Sequence, residues 1–191
     1  AARAWEEDRF STQVVQIQTS PLHPEYQMFI LELLGEWYQQ GFRYIGLEKI
    51  KNINSILDLG YPTLENGDVF QQPIFGEIIR QGQLAGFQFF SLSPSESQLQ
   101  KAMTILKKQK FNSGNQSKEE AAVYWAGAMN INRILKKEKN AKILLITNDI
   151  TETKSGNPST IANWLKRYSQ INLLSIGQTN IYDPCRGSQN P

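Results

Sequence analysis

The feature that most constrains this chain is the regular alternation of five short apolar runs with longer segments of helical period. The runs are Gln13 to Gln18 (QVVQIQ), Arg43 to Glu48 (RYIGLE), Phe87 to Leu92 (FQFFSL), Lys142 to Thr147 (KILLIT) and Asn172 to Ile176 (NLLSI). Between them, Pro24 to Gln40, Ile74 to Ala85, Ser95 to Lys108, Lys118 to Lys139 and Pro158 to Gln170 carry apolar residues at helical spacing. Pro73 suits a first helical position, Ser95 a cap, and Gly41 and Gly86 suit helix stops. Lys49 to Gln71 reads as irregular, with turn signals at Gly60-Tyr61-Pro62 and Asn66-Gly67-Asp68. Strands joined through helices require crossover connections. The prediction is therefore an α/β fold, a mostly parallel sheet of about five strands with helices on both faces. At 191 residues the chain suits one domain, with its core at about 13–183 and peripheral ends at 1–12 and 184–191.

Parallel sheets place their sites beyond the carboxyl ends of the strands. The segments to search are 18–23, 48–52, 93–95, 147–152 and 177–180. Composition narrows what they can do. Twenty Lys+Arg against eighteen Asp+Glu give a net charge of +2, too small for a general electrostatic mode of nucleic-acid binding. One cysteine, Cys185, excludes an internal disulfide framework and a thiolate cluster. One histidine, His23, excludes multi-histidine metal sites and leaves one imidazole as a base. No apolar run approaches the roughly 20 residues of a membrane span. Ala1 to Phe10 is charged and polar, without the pattern of a leader, although a removed leader leaves no trace.

Each local candidate has a functional and a plainer reading. Thr19, Ser20 and His23 offer a nucleophile and a base, or a helix-entry loop; no orienting partner for the base is evident, which favours the loop. Glu48, Asp149 and Glu152 offer a carboxylate cluster for a divalent cation, or caps and ion-pair partners. Glu77 and Arg80 stand three apart and are expected to pair locally on a helix. Lys101, Lys107, Lys108 and Lys110, with Lys136, Lys137 and Lys139, read as solvated helix faces rather than as a site for an anionic partner. Gly35, Gly46, Gly82 and Gly127 suggest close packing, and Trp37, Trp125 and Trp164 core or interface contacts. Neither a G-x-G-x-x-G turn nor a P-loop is present.

Four blocks resemble one superfamily in order: FILELLGEWYQQGFRYIGLE (Phe29 to Glu48), QQPIFGEIIRQGQLAGFQFFS (Gln71 to Ser91), MNINRILKKEKNAKILL (Met129 to Leu145) and YSQINLLSIGQTNIYD (Tyr168 to Asp183). They are similar to the erythromycin-esterase-like and haem-uptake (ChaN-like) superfamily, especially its small exported members in Bacteroidetes. The resemblance implies hydrolysis by water activated on a His/Glu constellation at the strand ends. Here that constellation is substituted. The family's Glu and His positions after the first strand, and its His-Arg pair entering the helix, read Thr19, Pro21, Leu22, Tyr26 and Gln27. Its Arg-Glu pair ahead of Asn130 reads Val123 and Tyr124, and its His, Gly and His after the fourth strand read Ile146, Asn148 and Thr151. Glu48, Gly76, Glu77, Arg80, Asn130 and Gln178 remain family-like.

Thr, Pro and Leu supply neither a general base at neutral pH nor a metal ligand of the imidazole or carboxylate type. The resemblance therefore implies a catalytically inactive member with no catalytic, cofactor or metal residues. Such a member would act as an interaction or structural subunit of a larger protein assembly of the bacterial envelope, exported to the periplasm or the outer membrane. The alternative is a residual hydrolase using Glu48 and Glu77 with His23 as base, or a protein binding a small ligand such as haem or a metal. Related proteins often continue beyond the Gln178-Thr179 ending, which leaves a longer protein open.

Overall fold

A computed structural model describes residues 12–19, 23–67, 72–109, 117–147, 160–171 and 173–177. The five expected strands are all present: β1 (Val14–Gln18), β2 (Phe42–Leu47), β3 (Gln88–Ser91), β4 (Lys142–Thr147) and β5 (Leu173–Ile176). They form one all-parallel sheet in the order β3-β2-β4-β1-β5. Six helices are described: α1 (Pro24–Gln39), α2 (Ile53–Leu59), α3 (Pro73–Ala85), α4 (Glu96–Lys108), α5 (Lys118–Lys137) and α6 (Ile161–Ser169). The α/β reading of the sequence holds.

Alternation along the strands explains why both faces are covered. In β1 and β4, Val15, Ile17, Leu144 and Ile146 join Ile30, Leu34 and Trp37 of α1, Ile56 of α2 and Phe75, Ile78 and Ile79 of α3. The intervening residues Val14, Ile143 and Leu145 point the other way, into a second core with Ala102 and Leu106 of α4, Ala121 to Leu135 of α5, and Trp164 and Leu165 of α6. Both faces being buried accounts for strands that read as near-continuous apolar runs. Gly46 and Gly82 permit close packing, as expected. A Cβ on Gly46 would lie 2.7 Å from the Phe90 ring and one on Gly82 2.6 Å from the Phe89 ring.

The reading of Lys49 to Gln71 as irregular is corrected. It contains α2 and a 3-10 turn, Leu64–Asn66. The helix has seven residues and buries one side chain, Ile56, too little for a periodic signal. Its order comes from afar. Asn66 is fully buried; its Nδ2 donates to the Lys51 and Asn52 carbonyls at 2.9 and 3.0 Å and to Ser55 Oγ at 2.9 Å, while its Oδ1 accepts from Thr63 N at 2.6 Å.

Other helix ends follow their cap chemistry. Ser95 and Ser117 accept from the third amide of α4 and α5, and Thr160 does the same for α6; the expected helix start at Pro158 lies outside the described residues. Pro73 opens α3, and Gly86 closes it at a φ of 96°. Among the described residues no helix is long and apolar enough to cross a membrane.

Candidate functional site

At the carboxyl edge, β1 and β2 send their chains into the α1–α3 layer, whereas β3 and β4 send theirs into the α4–α6 layer. Neighbouring strands thus part company, which opens crevices at that edge. Two clefts lie there among the described residues.

The larger, of about 760 Å³, sits between the exits of β2 and β3. One wall is the turn after β2. Lys49 and Asn52 adopt left-handed backbone there, with φ of 59° and 45°. Such conformations are unfavourable for residues with a Cβ and persist where surrounding bonds fix them. Asn66 supplies those bonds, with Lys51 N donating to the Asn66 carbonyl at 3.2 Å. The opposite wall is the β3 exit and α5. Leu92 N donates to the Leu47 carbonyl at 2.9 Å, Ser93 N to Ser91 Oγ at 3.1 Å, and Asn130 Nδ2 to the Ser91 carbonyl at 3.3 Å. Asn130 Oδ1 accepts from Gln98 Nε2 and Arg133 Nη1 at 3.2 and 3.3 Å. Asn130 therefore ties α4 and α5 to the end of β3.

The smaller cleft, of about 320 Å³, is lined by Glu48, Lys49, Leu92, Ser93, Glu120, Val123, Tyr124 and Ile161. Glu48 N donates to the Ile146 carbonyl at 3.3 Å, which extends the β2–β4 pairing to the cleft. Val123 and Tyr124 share this cleft with Glu48.

At the ends of the central strands the buried polar groups are amides and hydroxyls. Gln16 Nε2 donates to Thr147 Oγ1 at 2.9 Å. Thr19, 1% exposed, donates its amide to the Thr147 carbonyl at 2.7 Å, and its Oγ1 makes no hydrogen bond among the described residues. Gln27, also buried, donates to Gln72 at the start of α3. Thr and Gln side chains do not ionise near neutral pH, so these places offer no general base.

His23 stands at the N-cap position of α1, where its side chain caps no amide. Its Nδ1 lies 2.9 Å from Glu25 Oε1, and its ring stacks on Tyr26 with centroids 4.9 Å apart. A backbone hydrogen bond at Glu25, and secondarily the bond to His23, hold the Glu25 carboxyl below its ordinary range. The partner of the imidazole is thus a surface carboxylate on its own helix.

Glu77 and Arg80 pair across the surface of α3 through two bonds, 2.8 and 2.6 Å, as their spacing implies. The Arg80 hydrogen bond, with a second from Gln81, lowers the Glu77 pKa to about 2. Glu48 lines a cleft on the α4–α6 side, and no described contact or cavity joins Glu77 to it. The Glu77 pair has a small, testable consequence. A carboxylate with a lowered folded pKa gives stability that is full above its unfolded value of 4.5 and is lost as pH falls toward about 2. Solvent screens this exposed pair, so Glu77→Gln should leave the thermal midpoint at pH 7 nearly unchanged and slightly flatten its fall below pH 4.5. Thermal unfolding across that range checks both.

Lys101, Lys107, Lys108, Lys136, Lys137 and Lys139 are exposed, in line with solvated helix faces. Ser20, Pro21, Leu22, Lys110, Asn148, Asp149, Thr151, Glu152, Gln178 and Cys185 lie outside the described residues. The carboxylate cluster of Glu48 with Asp149 and Glu152 therefore has only Glu48 in the described part. The sequence reading missed Lys49, Lys51 and Arg133 as a group, because α5 brings Arg133 to the β2 exit only through tertiary packing.

The site and sheet define an α/β protein with a parallel, doubly covered sheet. No family model matches the chain, and no curated protein matches it. Among solved structures it is similar to the type III effector HopBA1, with 13% identity, a TM-score of 0.50, and coverage of 88% of this chain and 76% of that one. At that identity the likeness concerns the fold.

Proposed function

We propose that this chain is a non-catalytic α/β protein, a member of the erythromycin-esterase-like and haem-uptake superfamily that has kept the scaffold and lost the reaction. It acts as an interaction or structural subunit of a larger assembly of the bacterial envelope, in the periplasm or at the outer membrane. The observation that carries this reading is the company Glu48 keeps. Val123 and Tyr124 line its cleft, and the chain's one histidine is bonded to Glu25 at the start of α1. The His/Glu constellation that the resemblance implies would need an imidazole beside Glu48, and His23 is bonded to Glu25 instead. Thr19 and Gln27, buried where the superfamily carries ionisable groups, support the same reading.

An assembly subunit should be recovered with its partner. Affinity capture from the native source followed by gel filtration should give co-elution of this chain with a larger protein. A monodisperse monomer with no stable partner would count against the reading. One observation favours a ligand-binding component within it, the open cleft between β2 and β3.

A further inference from the structure

We propose that the cleft between β2 and β3 binds a small organic phosphate, its phosphate held by Lys49, Lys51 and Arg133 and its organic part by the apolar residues of the lining. The three cations line one cleft from two layers, two from the turn after β2 and one from α5. No carboxylate occurs among the described residues that line this cleft. Glu48 and Glu120 line the neighbouring one. Lys49 and Lys51 make no ion pair among the described residues, and Arg133 uses one nitrogen on Asn130, which leaves the rest of its guanidinium donors available. Three positive charges exceed what one carboxylate balances and match a phosphate dianion, for which a guanidinium fork and ammonium groups are suited donors.

The cleft also has an apolar component. Phe90, Ile53 and Ile134 line it, and about 760 Å³ is far more room than an inorganic phosphate needs. That volume lies in the range of small-molecule sites, which combine apolar walls with a few placed polar groups. The hydrogen bonds of Asn66 and Asn130 fix both walls before any ligand arrives, which lowers the ordering cost of binding.

The proposed site is separate from the assembly role: Lys51 and Arg133 line this cleft and not that of Glu48, and Lys49 borders both. Calorimetric titration with 1-naphthyl phosphate, beside 1-naphthol and inorganic phosphate, tests it at about 0.15 M salt, where diffuse surface attraction is screened. Saturable one-to-one binding of 1-naphthyl phosphate is expected, with weaker binding of both fragments. The double variant Lys51→Gln/Arg133→Gln should weaken it at least about tenfold, the loss of one charge-assisted hydrogen bond. Lys107→Gln/Lys108→Gln removes the same charge on the exposed end of α4 and should bind like wild type. All four positions are exposed, and a circular dichroism melt verifies folding. Absence of saturable binding would overturn the proposal, as would equal loss in both double variants or no loss in the cleft variant. Hydrolysis of an ester by the chain would instead overturn the non-catalytic reading and leave this one standing.

Discussion

Trp37→Ala is expected to cost about 3–5 kcal/mol of folding stability, the range for truncating a buried aromatic. Trp37 is 1% exposed on the inner face of α1, edge-on to Phe42 with ring centroids 4.7 Å apart. It belongs to the core that joins α1 to the sheet and to α2 and α3. Truncation leaves a cavity that neighbours on three elements cannot collapse into together. Trp37→Phe keeps a ring against Phe42 and should lose distinctly less. Denaturant unfolding measures both. A loss below about 1 kcal/mol for Trp37→Ala would mean that α1 does not close this core as described.

The second large effect is Asn66→Ala, on the order of 3 kcal/mol. The side chain is fully buried and serves five groups: Thr63 N and Oγ1, the Lys51 and Asn52 carbonyls, and Ser55 Oγ. Its removal leaves part-buried partners without their bond, at about 1–3 kcal/mol for each that water does not reach. Asn66→Asp should be no better, because a carboxylate would face the Lys51 and Asn52 carbonyls. The same substitutions should speed amide exchange at Lys51, whose N–H bonds to the Asn66 carbonyl, ahead of exchange in β2. Uniform exchange across both segments would show that Asn66 does not hold the turn.

These two residues also show what a sequence can reveal. Trp37 was legible, since it lies on the apolar stripe of a helix opened by Pro24 and followed by Gly41. The five strands were legible because a sheet covered on both faces needs continuous apolar runs such as KILLIT. The Glu77–Arg80 pair was legible from its spacing. Asn66 was not, because the sequence shows an Asn-Gly turn signal whether the amide faces water or a helix eleven residues earlier. The α2 helix was hidden for the same reason. With one buried side chain, its order depends on bonds to another loop.

The candidate site divides in the same way. The carboxyl-edge segments 48–52 and 93–95 follow from the parallel sheet, and both line the clefts. The meeting of Lys49 and Lys51 with Arg133 does not follow, because 82 residues and three helices separate them from it. His23 drew notice as the lone imidazole. Its partner, two residues on, is a bond available to many surface histidines.

Turnover is the most direct measure of whether the scaffold has lost its hydrolytic chemistry, as proposed. The purified chain, Glu48→Gln and His23→Ala should be assayed side by side on a short-chain naphthyl ester and a small lactone. All three should match the buffer rate on both substrates. Turnover by the wild type above buffer that falls with either substitution would contradict the proposal.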